Sequence, residues 1–460
     1  MTNSFLLQIL RAIDPSEHGA VRRFLQSPFF NRRSDVIQLF DLLVKSPEPP
    51  GREALFAALY PGRPFHNLTL NHTFSYLTER LEQYLALVEM QRDGQTERLY
   101  RVRAFRRRGL SQLFERDAHL LEKSHLESPQ RHAGWHLFHY LLQNEIFSHR
   151  IVQRREGATN LSAASDALSQ FFLLDNLRWA CTAESLRSVG GETYSPPLAD
   201  AVQQLAESCP PDDNPSLALL YQSWRVLRDP EDRDAFHLLE QLLLGHPDIF
   251  PPAESRDIHM AAINFCIRRQ NRGERDYART ALELYRRALE RGILHENGVL
   301  PTYTYNNIHL LAQVTGETNW AQNFLEQYRE ALPPGDRDNI YRYNLAIFYY
   351  RAADYGHALE LLRTLDFPEV FMALDVRRML LKSYYELGEW LSLASLLDSF
   401  SAFLRRQKTL GYHRESYRNL IRFTQKLAKR GPTSALAGQI KACPAVAERE
   451  WLLGKIKGKG

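Results

Sequence analysis

No two cysteines in this chain stand close together: Cys181, Cys209, Cys266 and Cys443 are scattered and form no CxxC pair. Such usage suits reduced thiols and argues against a disulfide framework or a thiolate zinc site. No apolar run approaches the roughly 20 residues of a membrane-spanning helix. The opening stretch MTNSFLLQILRAIDPSEHG lacks a basic n-region and a small-residue cleavage site, so no secretory leader and a cytoplasmic location are expected. The sequons at Asn67 and Asn71 then carry no meaning. Phosphate-loop, dinucleotide-binding, HExxH, GxSxG and EF-hand patterns are all missing. The expectation is a protein without catalysis, cofactor or resident metal.

Alternating strand patterns are missing too, and helical periodicity runs the length of the chain. At 460 residues, two or three domains or one extended solenoid are expected. An apolar content of 44% is ample for a folded chain. Asp14-Pro15 and Asp229-Pro230 read as helix caps followed by proline at the first helical position. Residues 67–91 read as one long helix, with Leu70, Phe74, Leu77, Leu81, Tyr84 and Val88 forming a single buried stripe. Breakers fall at 47–51, 190–191, 210–211, 247–252, 333–334 and 431–432. The first and the 247–252 stretch are the best boundary candidates.

The C-terminal half contains a repeat. Tyr343–Tyr350 forms a first helix carrying Leu345, Phe348 and Tyr349; a tight turn follows, and Tyr355, Ala358 and Leu362 begin a second. The next unit runs Leu380, Tyr384, Tyr385, Gly388 and Trp390, then Leu393, Ala394 and Leu397. Upstream, Val314, Gly316, Trp320, Phe324 and Tyr328 give the same pattern more weakly. Val314, Tyr349 and Tyr384 are each 35 residues apart, near the roughly 34 of a tetratricopeptide repeat (TPR). A fourth pair, Ile258–Arg269 with Tyr277–Leu289, has a longer turn. These units resemble the TPR motif, although Ala346 replaces a usual glycine and Leu393 a usual alanine. The order of segments, with Asn264-Phe-Cys-Ile, Tyr343-Asn-Leu-Ala, Tyr384-Tyr-Glu-Leu-Gly and Glu450-Trp-Leu-Leu-Gly-Lys-Ile, also resembles a group of bacterial helical-repeat proteins of similar length. That second likeness implies no activity.

The expected fold is all-α: a curved α-solenoid of about ten antiparallel helix pairs, TPR-like in its C-terminal half. Residues 1–250 are expected to be degenerate helix pairs, 255–430 TPR-like repeats, and 431–460 capping helices with a basic tail. By the TPR resemblance, the first helix of each pair lines a groove that contacts a partner. Carried across, this gives Tyr343, Ile347, Tyr350 and Arg351 in one unit and Arg378, Lys382 and Tyr385 in the next. Such aromatic and basic groups suit a peptide bearing carboxylates. The alternative is that Tyr350 and Tyr385 only pack between repeats.

Charge supplies the other candidate. The net +4 conceals 14 Lys and Arg against 3 Asp and Glu in residues 401–460. Arg414, Arg418, Arg422, Lys426 and Arg430 follow one another every fourth residue, forming a slanting ridge. The ridge is either the solvated face of a capping helix or a contact for anions or nucleic acid. A second basic cluster, Arg98, Arg101, Arg103 and Arg106–Arg108, is interleaved with Tyr100 and Phe105. His132, His136 and His139 share a helix face but sit among Trp135, Phe138 and Leu142, so packing is preferred to zinc. The acids Asp229, Glu231, Asp232 and Asp234 are read as helix-start residues.

The functional expectation is a non-catalytic scaffold or adaptor that binds another protein or peptide segment. The alternative is an RNA- or DNA-associated protein using the basic C-terminal end. Far-UV circular dichroism should show helix with under about a tenth of residues in strands, against 20–25% for ordinary globular proteins.

Overall fold

The computed structural model describes residues 5–45, 50–153, 160–188, 190, 194, 197–407 and 410–457. The breakers at 47–49 and 191 and the last three residues of the basic tail lie outside them. The chain is 78% helical, with 23 α-helices and no strand among the described residues. Glu296 and Val299 make an isolated antiparallel bridge.

The chain divides into two compact units, Met1–Pro129 with Ala133–Phe172, and Gln130–His132 with Leu173–Gly460. Helices of the first are Phe5–Ala12 (α1), His18–Gln26 (α2), Ser34–Val44 (α3), Arg52–Leu59 (α4), Asn67–Arg92 (α5), Gly94–Arg107 (α6), Ser111–Leu126 (α7) and Ala133–Gln153 (α8). Leu161–Ser188 (α9) crosses the division. The second continues with Ala199–Ser208 (α10), Pro215–Arg228 (α11), Arg233–Gly245 (α12), Pro252–Asn271 (α13), Asp276–Glu290 (α14), Thr302–Val314 (α15) and Thr318–Gln327 (α16). It ends with Arg337–Arg351 (α17), Tyr355–Leu362 (α18), Val370–Leu387 (α19), Trp390–Arg406 (α20), Gly411–Arg430 (α21), Ser434–Ala442 (α22) and Arg449–Lys457 (α23).

In the first unit, α5 is the long helix read from its stripe: Leu70, Leu77, Leu81 and Tyr84 are buried against α1–α4, with Phe74 and Val88 partly covered. Leu99, Val102, Phe114, Leu121 and Leu142 form a smaller core among α6, α7 and α8. In the second unit, consecutive helices pack as antiparallel pairs, as the spacing of apolar residues requires.

Two sequence expectations shift. The division falls at Phe172/Leu173, not in the proline-rich 247–252 stretch. There Phe250 is buried, Pro252 opens α13, and α13 packs on α11 and α12, so these prolines start a helix inside a continuous core. Nor does Asp229 cap α12. Its carboxylate accepts from Glu231 N at 2.8 Å, while Asp232 accepts from Ala235 N at 3.0 Å and caps a helix beginning at Arg233. Arg225 fixes that choice by bonding Asp232 at 2.7 Å. Asp14-Pro15 does act as read, with Asp14 accepting from Ser16 N at 2.8 Å.

The repeat period is visible in how first helices end. Glu317 N donates to Ala312 O at 2.8 Å, Asp354 N to Tyr349 O at 2.9 Å, and Glu389 N to Tyr384 O at 3.0 Å. Each bond closes over a left-handed residue: Gly316 (φ 82°), Ala353 (φ 60°) and Gly388 (φ 71°). The last two are 35 residues apart and the first two 37, so the upstream unit is two residues longer than Val314 suggests. Ala358, fully buried, lets α17 and α18 approach closely.

Polar side chains also register neighbouring units. His309 Nδ1 lies 3.2 Å from Asn344 Oδ1, and Asn344 Nδ2 donates to Asn306 Oδ1 at 2.6 Å. Burial pushes the His309 imidazole down to about 4, keeping it neutral in this seam.

A left-handed alanine is strained by roughly 1–2 kcal/mol, whereas glycine is not. Ala353→Gly should therefore raise stability by about 0.5–1 kcal/mol. Gly388→Ala should lower it by a similar amount, through its positive φ alone, since the new Cβ would only reach ordinary contact distance of the Trp390 ring, 3.8 Å. Urea denaturation of the two variants checks both signs.

Candidate functional site

Tyr343, Ile347, Tyr350 and Arg351 lie on α17; Arg378, Lys382 and Tyr385 lie on α19. The two helices bring most of these side chains together. Tyr343 is buried and donates its hydroxyl to Asp375 at 2.8 Å; Arg378 Nε donates to the same carboxylate at 2.8 Å. The Tyr350 ring sits 5.9 Å from the Arg378 guanidinium and 5.3 Å from Lys382 Nζ. Ile347 packs into the core around Ala346, Val376 and Met379. Arg351 is exposed, and its side chain has no ion pair or hydrogen bond among the described residues.

This face is occupied by the chain's own C-terminal segment. Glu448, just ahead of α23, accepts from Arg378 at 2.5 Å and from Lys382 at 2.6 Å. One turn on, Trp451 Nε1 donates to Glu386 at 2.7 Å, and Lys455 Nζ reaches the same carboxylate at 2.5 Å. Tyr385 stands edge-on between Trp390 and Trp451, with ring centroids 5.4 and 5.3 Å away. Leu452 points inward and is fully buried with Leu436, Ile440, Leu420 and Phe423. Arg449 fastens the turn before α23 by donating to the carbonyls of Ile440, Lys441, Cys443 and Pro444.

The electrostatics follow from this packing. Burial alone would raise the Glu448 pKa, but the hydrogen bond from Lys382 and the charges of Arg378 and Lys382 bring it below the ordinary value. Burial works against the Arg378 cation, yet Asp375 and Glu448 overcome it and raise its pKa. The Tyr350 hydroxyl is buried without a hydrogen-bond partner among the described residues, and desolvation raises its pKa. The Glu448 backbone is left-handed, at φ 55°.

Comparison with family models, curated proteins and solved structures yields no match. The functional reading therefore rests on this chain's own residues.

The basic ridge occupies α21. Arg418, Arg422 and Arg430 are exposed, while Arg414 and Lys426 are partly covered. Arg414 donates to Gln407 O, and Lys426 Nζ to Gln439 Oε1 at 2.7 Å. None of the five forms an ion pair among the described residues. The other face of α21, with Leu420, Ile421, Phe423 and Leu427, is buried. The α6 arginines differ: Arg103 and Arg106 both bond buried Glu145, at 2.6 and 2.7 Å, and Arg101 bonds Asp117 at 3.0 Å. Among the described residues no group of three His, Cys, Asp or Glu could hold a metal. His132 pairs with Glu254 at 3.2 Å, while His139 stacks with Trp135 and His125. A cavity of about 520 Å³ beside α10 and α11 has its acids engaged, Glu207 by Tyr221 and Asp232 by Arg225.

Sequence reasoning missed Asp375, Glu386, Glu448 and Trp451. Asp375 was recoverable from its position three residues before Arg378 on one helix face. Glu448 and Trp451 meet α19 only through the fold.

Glu448→Gln leaves two cations with a weaker acceptor and should destabilise the C-terminal segment by about 1–3 kcal/mol. The same contribution depends on pH. Glu448 has a folded pKa below its unfolded one, so its stabilisation is complete above the ordinary glutamate value of about 4.3 and disappears as pH falls through the lower folded value. The protection of amides 449–457, corrected for intrinsic exchange at each pH, should fall in that acid window in wild type, and the fall should be blunted in Glu448→Gln.

Proposed function

We propose that this chain is a non-catalytic, cytoplasmic scaffold or adaptor, built on TPR-like helix pairs, that recognises a segment of another protein through the α17–α19 face. The observation that carries this reading is the set of charges and rings gathered there. Arg378 and Lys382 converge on one carboxylate, Tyr385 meets an indole, and Glu386 accepts from that indole's N–H. These groups read a short helix through a carboxylate and an aromatic side chain three residues later, a recurring way of holding helical segments. Arg351 and the Tyr350 hydroxyl lie beside them with no hydrogen bond or ion pair among the described residues. The engagement of the acids around the α10–α11 cavity favours binding over chemistry.

A second reading is favoured by α21. Arg418, Arg422 and Arg430 are exposed and without an ion pair among the described residues, which suits contact with phosphates. No described helix is long and apolar enough to cross a membrane.

The test is capture of partners by tagged wild-type protein and by an Arg351→Glu, Tyr350→Ala variant, each with and without nuclease, followed by mass spectrometry. A protein retained by wild type through nuclease treatment, and lost by the variant, is the expected result. Identical capture by both proteins overturns the groove reading. If RNA or DNA binding is instead the function, wild type binds mixed nucleic acid at low salt, and affinity falls steeply as salt rises. An Arg418→Glu, Arg422→Glu, Arg430→Glu variant then loses that binding; equal binding by both proteins removes the second reading.

A further inference from the structure

The α17–α19 face has a covalently attached occupant, and its fit is incomplete in two respects. Glu448 meets Arg378 and Lys382 only by holding a left-handed backbone at φ 55°, a conformation that favours glycine. Among the described residues the Tyr350 hydroxyl is buried without a hydrogen-bond partner, and neighbouring Arg351, disfavoured as a cation by partial burial and the charge of Arg378, feels the Asp375 carboxylate but makes no ion pair or hydrogen bond with it. A segment matched to the whole face would satisfy these groups as well. The contacts made by α23 join charge-assisted hydrogen bonds from side chains to one apolar side, on which Leu452 is fully buried and Trp451, Leu453 and Ile456 are partly buried. A partner that takes its place must therefore supply an apolar residue for the Leu452 position as well as the polar groups.

We propose that residues 448–457 are an exchangeable cis ligand, and that the partner displaces them with a short helix of the same chemistry. That helix begins at a carboxylate, carries an aromatic ring three residues on, and offers a second acidic group to Arg351. The inference rests on the groove reading above and adds what the partner looks like and what it must displace. Competition between the two follows directly. A partner sees only the fraction of molecules whose own segment is out, so apparent affinity falls by that fraction.

The experiment uses the full chain. A fluorescein-labelled synthetic peptide of residues 446–457 is titrated by anisotropy against wild type and against a Glu448→Gln, Trp451→Ala double variant. The cis segment is weakened in the variant, so the peptide should bind it at least tenfold more tightly than wild type. Adding Arg378→Glu should abolish that binding. A peptide with Ala447→Asp should bind more tightly still, and lose the advantage against Arg351→Ala; no such gain removes the second acidic group from the partner. A folded double variant, with wild-type circular dichroism, that binds no peptide overturns exchange and makes the segment a permanent cap. That outcome leaves the partner-capture comparison free to succeed or fail by itself.

If the double variant does not fold, hydrogen exchange of wild type decides. Amides of 449–457 are expected to exchange at least tenfold faster than those of α19. Exchange of both at one rate means the segment opens only with the core, and overturns the proposal. A wild-type mass that doubles with concentration, with the 446–457 segment traded between copies, replaces the foreign partner by a second copy and also overturns it.

Discussion

A row of packed helix pairs has an end, and the apolar side of its last helices must be covered. In this chain that constraint falls on α19, α20 and α21, whose inward residues Leu381, Phe400, Leu420 and Phe423 would otherwise face water. The covering is supplied by α22 and α23, through Leu436, Ile440 and Leu452. Leaving even one such leucine exposed would forfeit about 1.5–3 kcal/mol of burial. Because the cover folds back, it brings Glu448 and Trp451 onto polar residues of α19. Capping and the pairing of Glu448 and Trp451 with α19 are thus two results of one packing requirement.

The polar part of the cap is specific where the apolar part is permissive. Many leucine-bearing helices could fill the space at Leu452. Few could also place a carboxylate between Arg378 and Lys382 and an indole N–H against Glu386. Removing Glu448 would leave Arg378 with Asp375 but strip Lys382 of its ion pair. Partly covered charges of this kind favour a particular arrangement more than they add net stability.

Much of this architecture was legible in the sequence because it is local. The α5 stripe, the turn between α17 and α18, and the unpaired face of α21 each follow from residues a few positions apart. The residues singled out on α17 and α19 came from the TPR resemblance, and the side chains of Tyr350, Arg378 and Lys382 lie close together. Non-local pairing was not legible. Nothing near Arg378 in sequence announces Glu448, and the arginines of α6 look unpaired until Glu145 arrives from α8. Ala353 shows the same limit in a turn: a search for glycine at helix ends passes over an alanine holding a left-handed conformation. The 247–252 prolines misled for another reason, since proline at a first helical position marks a start and need not mark a boundary.

The seam of His309, Asn344 and Asn306 gives the units individual addresses. Residues 309, 344 and 379 are spaced 35 apart along neighbouring first helices, but they are histidine, asparagine and methionine. His309 meets Asn344 across one junction, while Met379 lies in the apolar cluster of the next. The repeats share an outline but are not interchangeable bricks. A chain of this kind would not lengthen or shorten by copying units without first rewriting the junctions.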